Sequence, residues 1–267
     1  MQDAAAVSLG AERLVLLGGL DSSDTSTAAI TILAGGQAVS AGRLPEAQHD
    51  AQGASLDGDV YVFGGGQFNS YDHIVRYEPG DGRVSVVGHL PRPASDVAVT
   101  TIGSTAYIIG GYDGQRALDT ILAWRPGTVP VLVGHLPSGL RYAAVAGTTS
   151  KVIIAGGSTE TGASRAILSF DPSTGRVTQI GSLPQPLTHA SAASFHSAVY
   201  VIGGRGIAPS SQTSAILAID PDSGRVHRAG HLALPLSDMA IATIGEHIVL
   251  AGGQGASGTQ SSIFELG

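Results

Sequence analysis

Short apolar runs that end in a pair of glycines recur along the chain. They occupy residues 15–17, 61–63, 108–109, 153–155, 201–202 and 249–251, and they run into Gly18-Gly19, Gly64-Gly65, Gly110-Gly111, Gly156-Gly157, Gly203-Gly204 and Gly252-Gly253. The pairs begin 46, 46, 46, 47 and 49 residues apart. A period of this length marks a propeller or a solenoid. The second repeat shows the unit in full. Residues 50–56 form a strand of mostly small side chains, and Asp57-Gly58 makes a hairpin turn. Residues 59–63 are a β-branched and aromatic strand, 66–72 a polar loop, 73–77 a third strand, 78–82 a turn and 83–88 a fourth strand. Four short antiparallel strands per repeat correspond to one propeller blade.

Two further patterns separate a propeller from a linear solenoid. The first strand of each repeat is built from small residues, as in Ala4-Ala5-Ala6-Val7, Ala143-Ala144-Val145-Ala146 and Ala190-Ser191-Ala192-Ala193. Such side chains suit a strand that lies against a narrow axis. Third strands carry one bulky residue at a matching place, Tyr77, Trp124, Phe170 and Ile219. These are read as packing between blades rather than as a stacking platform. Six glycine pairs predict a single domain of six blades, at about 1–47, 48–93, 94–139, 140–186, 187–235 and 236–267. The last repeat stops after its third strand, so its blade is expected to have three strands and an open edge, with closure by packing of the last blade on the first.

The apolar strand, the Gly-Gly pair, the third-strand aromatic and a blade-ending Leu-Pro (Leu44-Pro45, Leu90-Pro91, Leu136-Pro137, Leu183-Pro184) together resemble the kelch repeat. The likeness extends over all six copies. It departs at the position before the fourth strand, where Val84 and Val177 replace the usual tryptophan, which makes the chain similar to divergent bacterial kelch domains. The resemblance implies an all-β, six-bladed β-propeller of four-stranded antiparallel blades. It says little about activity, because propellers host many.

Composition narrows the chemistry. Hydrophobic residues make up 43% and charged residues 13%, so the chain can bury a core, and its 38 glycines are periodic rather than linker-like. The net charge is −7 and Lys151 is the sole lysine, which removes nucleic acid and anionic membrane surfaces as partners. There is no cysteine, so disulfides, thiolate metal sites and the Cys–Tyr crosslink of kelch-type galactose oxidases are excluded. No Gly-x-Ser-x-Gly elbow or phosphate loop is present.

In this strand order the loops leading into the inner strands and the loops after the glycine pairs share one face. They are the varied loops, and varied loops on a rigid scaffold are where ligands bind. Fourteen residues before each pair stand Asp50, Asp96, Tyr142, His189 and Asp238, with Asp3 fifteen residues ahead of the first. These would ring the mouth of an axial channel. One reading has the carboxylates holding nearby backbone N–H groups as in Asx turns. The other has a polar ring for a sugar or a cation. Tyr112, Arg116, Arg141 and Arg205 add aromatic faces and bidentate donors from adjoining loops. His89, His135 and His231 fall in the repeated blade-end motif and read as scaffold, and no histidine pair has zinc spacing. No catalytic residue, metal or cofactor is expected. The function expected is a monomeric, non-enzymatic module that recognises a protein segment or a glycan, with edge pairing open at the last blade. The alternatives are a sugar epimerase or mutarotase-like enzyme using His189 or an Asp of raised pKa, and a scaffold domain of a larger sensor or surface protein.

Overall fold

The computed structural model describes residues 1–267, which are all-β and antiparallel throughout. The first repeat contributes β1 (Ala5–Ser8), β2 (Arg13–Leu17), β3 (Thr27–Ala34) and the first part of β4 (Gln37–Leu56). The second takes the rest of β4 with β5 (Asp59–Gly66), β6 (His73–Glu78) and β7 (Arg83–His89). The third holds β8 (Ala98–Ile102), β9 (Thr105–Ile109), β10 (Thr120–Trp124) and β11 (Val131–His135). The fourth holds β12 (Ala144–Gly147), β13 (Val152–Ala155), the small hairpin of β14 (Ser158–Thr159) and β15 (Gly162–Ala163), then β16 (Ala166–Asp171) and β17 (Arg176–Ser182). The fifth runs through β18 (Ser191–Phe195), β19 (Ala198–Ile202), β20 (Ala215–Ile219) and β21 (Val226–His231). The sixth has β22 (Ala240–Ile244), β23 (His247–Ala251), the hairpin of β24 (Gln254–Gly255) and β25 (Gly258–Thr259), and β26 (Ile263–Leu266). The first strands β1, β4, β8, β12, β18 and β22 each pack on the next, and β22 packs back on β1, so the sheets surround an axis as a propeller.

One strand departs from the expected boundaries. β4 runs unbroken for 20 residues, pairing with β3 at its start and β5 at its end, where the repeat predicts an outer strand and a separate inner strand. Ala47 stands where later repeats have Pro93, Gly139, Pro186 and Pro235. Alanine has neither proline's missing N–H nor glycine's conformational freedom, so the extended chain can run on. The hairpin at Asp57-Gly58 forms as predicted, with φ of 54° and 89° at its two central residues.

The bulky third-strand residues are buried between repeats, as the pattern implied. Trp124 meets Tyr61 and Phe63 of the preceding repeat edge-on, with ring centroids 4.9 and 5.3 Å apart, and Tyr107 meets Phe170 in the same way at 5.8 Å.

The glycine pairs lock each repeat to the next. Both members of every pair have positive φ. The second glycine's N–H donates to a carbonyl in the following repeat: Gly19 to Gln48, Gly65 to Ala94, Gly111 to Leu140, Gly157 to Leu187 and Gly204 to Leu236, at 2.8–2.9 Å. A Cβ on the first glycine would overlap that same carbonyl oxygen. The seam between the last repeat and the first uses the same bond, with Gly253 donating to Met1 at 2.9 Å. Side-chain packing of Ala4, Ala6, Leu14 and Leu16 on Ala240, Val249 and Ala251 completes it. Closure is therefore made by hydrogen bonds as well as by the packing predicted. The last sheet, β22-β23-β26, has three strands, and the outer edge of β26 is unpaired.

Candidate binding site at the channel mouth

The positions fourteen or fifteen residues ahead of the glycine pairs form a closed ring of backbone hydrogen bonds. Asp50 N–H donates to Asp3 O (3.1 Å), Asp96 to Asp50 (2.9 Å), Tyr142 to Asp96 (3.3 Å), His189 to Tyr142 (3.1 Å), Asp238 to His189 (3.0 Å) and Asp3 to Asp238 (3.1 Å). All six residues are left-handed, with φ between 53° and 60°. Asp and His tolerate this region better than most residues. The recurrence of aspartate thus has a conformational cause, and the ring is held by main-chain groups instead of the Asx-turn side chains of the first reading. Tyr142 is the exception, since a bulky residue adopts φ of 54° only at a cost of about 1–2 kcal/mol. Strain of this kind gathers at functional positions.

The side chains so released line an axial cavity of about 340 Å³. They divide it into an acidic half and an aromatic, cationic half. In the acidic half the carboxyls of Asp3 and Asp238 face each other, as do those of Asp50 and Asp96. Burial, reinforced by the facing carboxylates, pushes the Asp3 and Asp50 carboxyls well above the usual range. Burial also raises Asp238, against the relief supplied by the Ser237 hydroxyl, which donates to its Oδ2 at 2.6 Å. In the other half the Arg141 guanidinium lies over the rings of Tyr112 (4.5 Å) and Tyr142 (4.6 Å), with Nε 2.6 Å from Asp96 Oδ2. Arg141 Nη2 donates to the Tyr142 hydroxyl (3.0 Å), which donates in turn to Asp50 Oδ2 at 3.3 Å. Tyr142 stacks on His189 with ring centroids 3.7 Å apart. Arg205 Nη2 donates to His189 Nε2 at 3.0 Å, which leaves Nδ1 to donate to Thr188 Oγ1 at 3.0 Å. Burial first, then the two arginines, pushes His189 down to about 3, so its imidazole is neutral at ordinary pH. Burial pushes the Tyr142 hydroxyl far up.

Nine of the ten residues picked from the sequence meet here: Asp3, Asp50, Asp96, Tyr142, His189, Asp238, Arg141, Tyr112 and Arg205. Arg116 does not. Asp113 Oδ1 accepts the backbone N–H groups of Gln115 and Arg116, and the tight turn this makes carries the Arg116 side chain outward beside Asp113 Oδ2, at 3.8 Å. Thr188 and Ser237 also belong to the site, because they orient His189 and Asp238. Their sign in the sequence was that each directly precedes a ring residue. Each also pairs with the loop after a glycine pair, Thr188 with Arg205 and Ser237 with Gln254. Ser237 donates to Asp238 and Arg141 is ion-paired with Asp96, so the ring is not offered as a cation cage.

The raised carboxyls give a signed pH dependence. Asp3 binds its proton more tightly folded than unfolded, so its contribution to stability is full below the unfolded pKa of about 3.9 and declines as pH rises toward the folded value. His189 acts oppositely, and its contribution is lost as pH falls from about 6.5 toward its folded value of about 3. Asp3→Asn keeps a side chain that accepts positive φ and removes the titration. Its melting temperature is expected to exceed wild type by a margin that widens as pH rises above about 3.9 and levels off beyond the folded value, at roughly 2–4 °C per kcal/mol. A pH-independent difference in thermal melts would contradict this.

The comparisons with known proteins follow the same architecture. A family model described as Kelch motif matches residues 93–128, from the lead-in to β8 to the turn after β10. Kelch repeat protein M-T8 of myxoma virus (strain Lausanne) is 35% identical over 86 residues, a stretch that covers 31% of this chain and 17% of that protein. Among solved structures, that of YjhT superimposes with a TM-score of 0.86 over 100% of this chain and 97% of that one, at 15% identity. The chain thus carries a Kelch motif at residues 93–128, and as a whole it has a β-propeller fold like that of YjhT.

Proposed function

We infer that the six repeats make a six-bladed propeller that works as a non-enzymatic binding module, taking a segment of another protein on its loop-rich face. One observation carries this reading. Phe68 and Ile207, on the loops after two of the glycine pairs, are 90% and 72% exposed on that face. Large apolar side chains beside a polar centre are anchors that a protein partner can bury. The Kelch motif suggests a protein-interaction module, which agrees with it. A glycan is the weaker candidate, because Arg141 and His189 already cover the ring of Tyr142. The module is read as monomeric, with the free edge of β26 as the place where a further strand could add.

Selection of displayed peptides on the immobilised full chain tests the reading. Peptides binding at micromolar Kd should be recovered, and Phe68→Ser or Ile207→Ser should weaken them about tenfold, the effect of a hot-spot loss of about 1.4 kcal/mol. The exposed Val131→Ser on β11 is the control and should change nothing. Recovery of no peptide, or of peptides indifferent to both loop variants, would overturn the proposal.

A second reading has its own observation. The carboxyls of Asp3 and Asp50, raised by burial, line one cavity where they could pass a proton to and from a sugar, as mutarotase-like chemistry needs, whereas the His189 lone pair is already taken by Arg205. Anomer exchange in a saccharide panel, followed by NMR and abolished by Asp50→Asn, would replace the binding-module reading with this one.

A further inference from the structure

Sequence spacing set aside the blade-end histidines as scaffold and left no metal site. Strand pairing changes that in the second repeat. His73 at the start of β6 lies directly opposite His89 at the end of β7, and residues so paired put their side chains on one face about 5 Å apart. Asp72 adjoins them. Its Oδ1 is 3.1 Å from His89 Nδ1 and 3.7 Å from His73 Nε2, and one ligand atom from each residue lies within 4.8 Å of the other two. Donors on a tetrahedral ion with bonds of about 2.0–2.1 Å stand about 3.3 Å apart, so these separations need only small rotations to close on one ion. The groups are also pre-positioned. The Asp72 carbonyl accepts the Leu90 N–H at 2.7 Å, and Tyr71 stacks on the His73 ring with centroids 5.6 Å apart. The site is reachable, since His89 is 59% exposed.

The chain supplies its own comparison. The residues paired as His73 and His89 are Ala29 and Arg43 in the first repeat, Thr120 and His135 in the third, Ala166 and Ser182 in the fourth, and Ala215 and His231 in the fifth. The third repeat keeps the Asp–His pair, with His135 Nδ1 3.0 Å from Asp119 Oδ2 and His135 56% exposed, but has threonine in place of the second imidazole. A blade-end histidine beside an aspartate is therefore the repeated scaffold feature. His73 is the addition that makes three donors.

We propose that Asp72, His73 and His89 form a site for a borderline divalent transition ion, Zn²⁺ or Ni²⁺, at the outer rim of the second repeat's loop-rich end. Two imidazoles and one carboxylate select such ions over Mg²⁺ and Ca²⁺, which take oxygen ligands. Three protein ligands leave at least one position for water or for a donor from a partner.

Isothermal titration of the full chain with Zn²⁺ alone and Ni²⁺ alone tests this. One equivalent should bind, with no comparable heat from Mg²⁺. His73→Thr, which copies the third repeat, and His89→Ala should each weaken it at least about tenfold, since even loss of a group behind a ligand costs that much. His135→Ala should leave it unchanged, and Co²⁺ should give a ligand-field spectrum that His73→Thr abolishes. Unchanged thermal melts of the metal-free variants would show that folding is intact. Binding that survives His73→Thr, that falls with His135→Ala, or that is absent from the unsubstituted chain overturns the site.

Discussion

Arg141→Ala is expected to lower stability by about 3 kcal/mol, the lower end of the range for breaking a buried ion pair by removing one partner. The reason lies in what it leaves behind. The Asp96 side chain is 2% exposed, its Oδ2 is 2.6 Å from Arg141 Nε, and no other cation approaches that carboxylate at ion-pair distance. The Tyr142 hydroxyl also loses its donor, and Tyr112 and Tyr142 lose the guanidinium lying between them. For a chain of this size the melting temperature should fall by roughly 6–12 °C. Arg141→Lys should recover only part of the loss, because an ammonium can pair with Asp96 but cannot fork to Tyr142 and stack at the same time. Asp96→Asn in the Arg141→Ala background should restore most of it, since the amide needs no counter-charge. Differential scanning calorimetry of the four proteins decides the matter. If Arg141→Ala costs under about 1 kcal/mol and Asp96→Asn brings no rescue, the pair contributes little net and the ring is held by its backbone bonds alone.

The period, the blade meander, the inner strands of small residues and the three-stranded last sheet could all be read from the chain, because each follows from local composition repeated at a fixed interval. Counting back from the glycine pairs also reached the ring residues. Counting gives a position and no direction, and the misreadings lie there. It could not show that aspartate recurs because the backbone is left-handed at Asp3, Asp50, Asp96 and Asp238. Nor could it show that a short turn held by Asp113 carries Arg116 away while its neighbour Tyr112 stays beneath Arg141. His73 and His89 are 16 residues apart in sequence and become partners only when β6 and β7 pair. Their pairing was implicit in the third- and fourth-strand assignment, but metal spacing searched along the chain passes over ligands that face each other across a hairpin. β4 shows the reverse case, where alanine at residue 47, in place of the proline or glycine at the other joints, lets two predicted strands run on as one.

Gly110→Ala should be about as costly as the loss of Arg141, for reasons that involve no charge. Gly110 has φ of 62°, where an L side chain costs about 1–2 kcal/mol. The added Cβ would also overlap the Leu140 carbonyl, which is fixed because it accepts the Gly111 N–H at 2.9 Å. Backbone cannot give way as a side-chain tip can, so a further 1–3 kcal/mol, roughly, is expected from forced displacement. The sum is a loss of about 2–5 kcal/mol in chemical denaturation. Gly114→Ala isolates the first contribution. Its φ of 92° is also positive but a Cβ there meets nothing within 4 Å, so only the conformational cost remains. The last repeat extends the test to ring closure. Gly252 has φ of 70°, and a Cβ on it would overlap the Met1 carbonyl, which accepts the Gly253 N–H at 2.9 Å. If the seam is as firm as the other joints, Gly252→Ala and Gly110→Ala should cost the same to within about 0.5 kcal/mol. A Gly252→Ala cost that falls to the Gly114→Ala level would mean that residue 1 yields, and that the ring is held shut by Asp3, Asp238 and the packing of β1 on β22 instead.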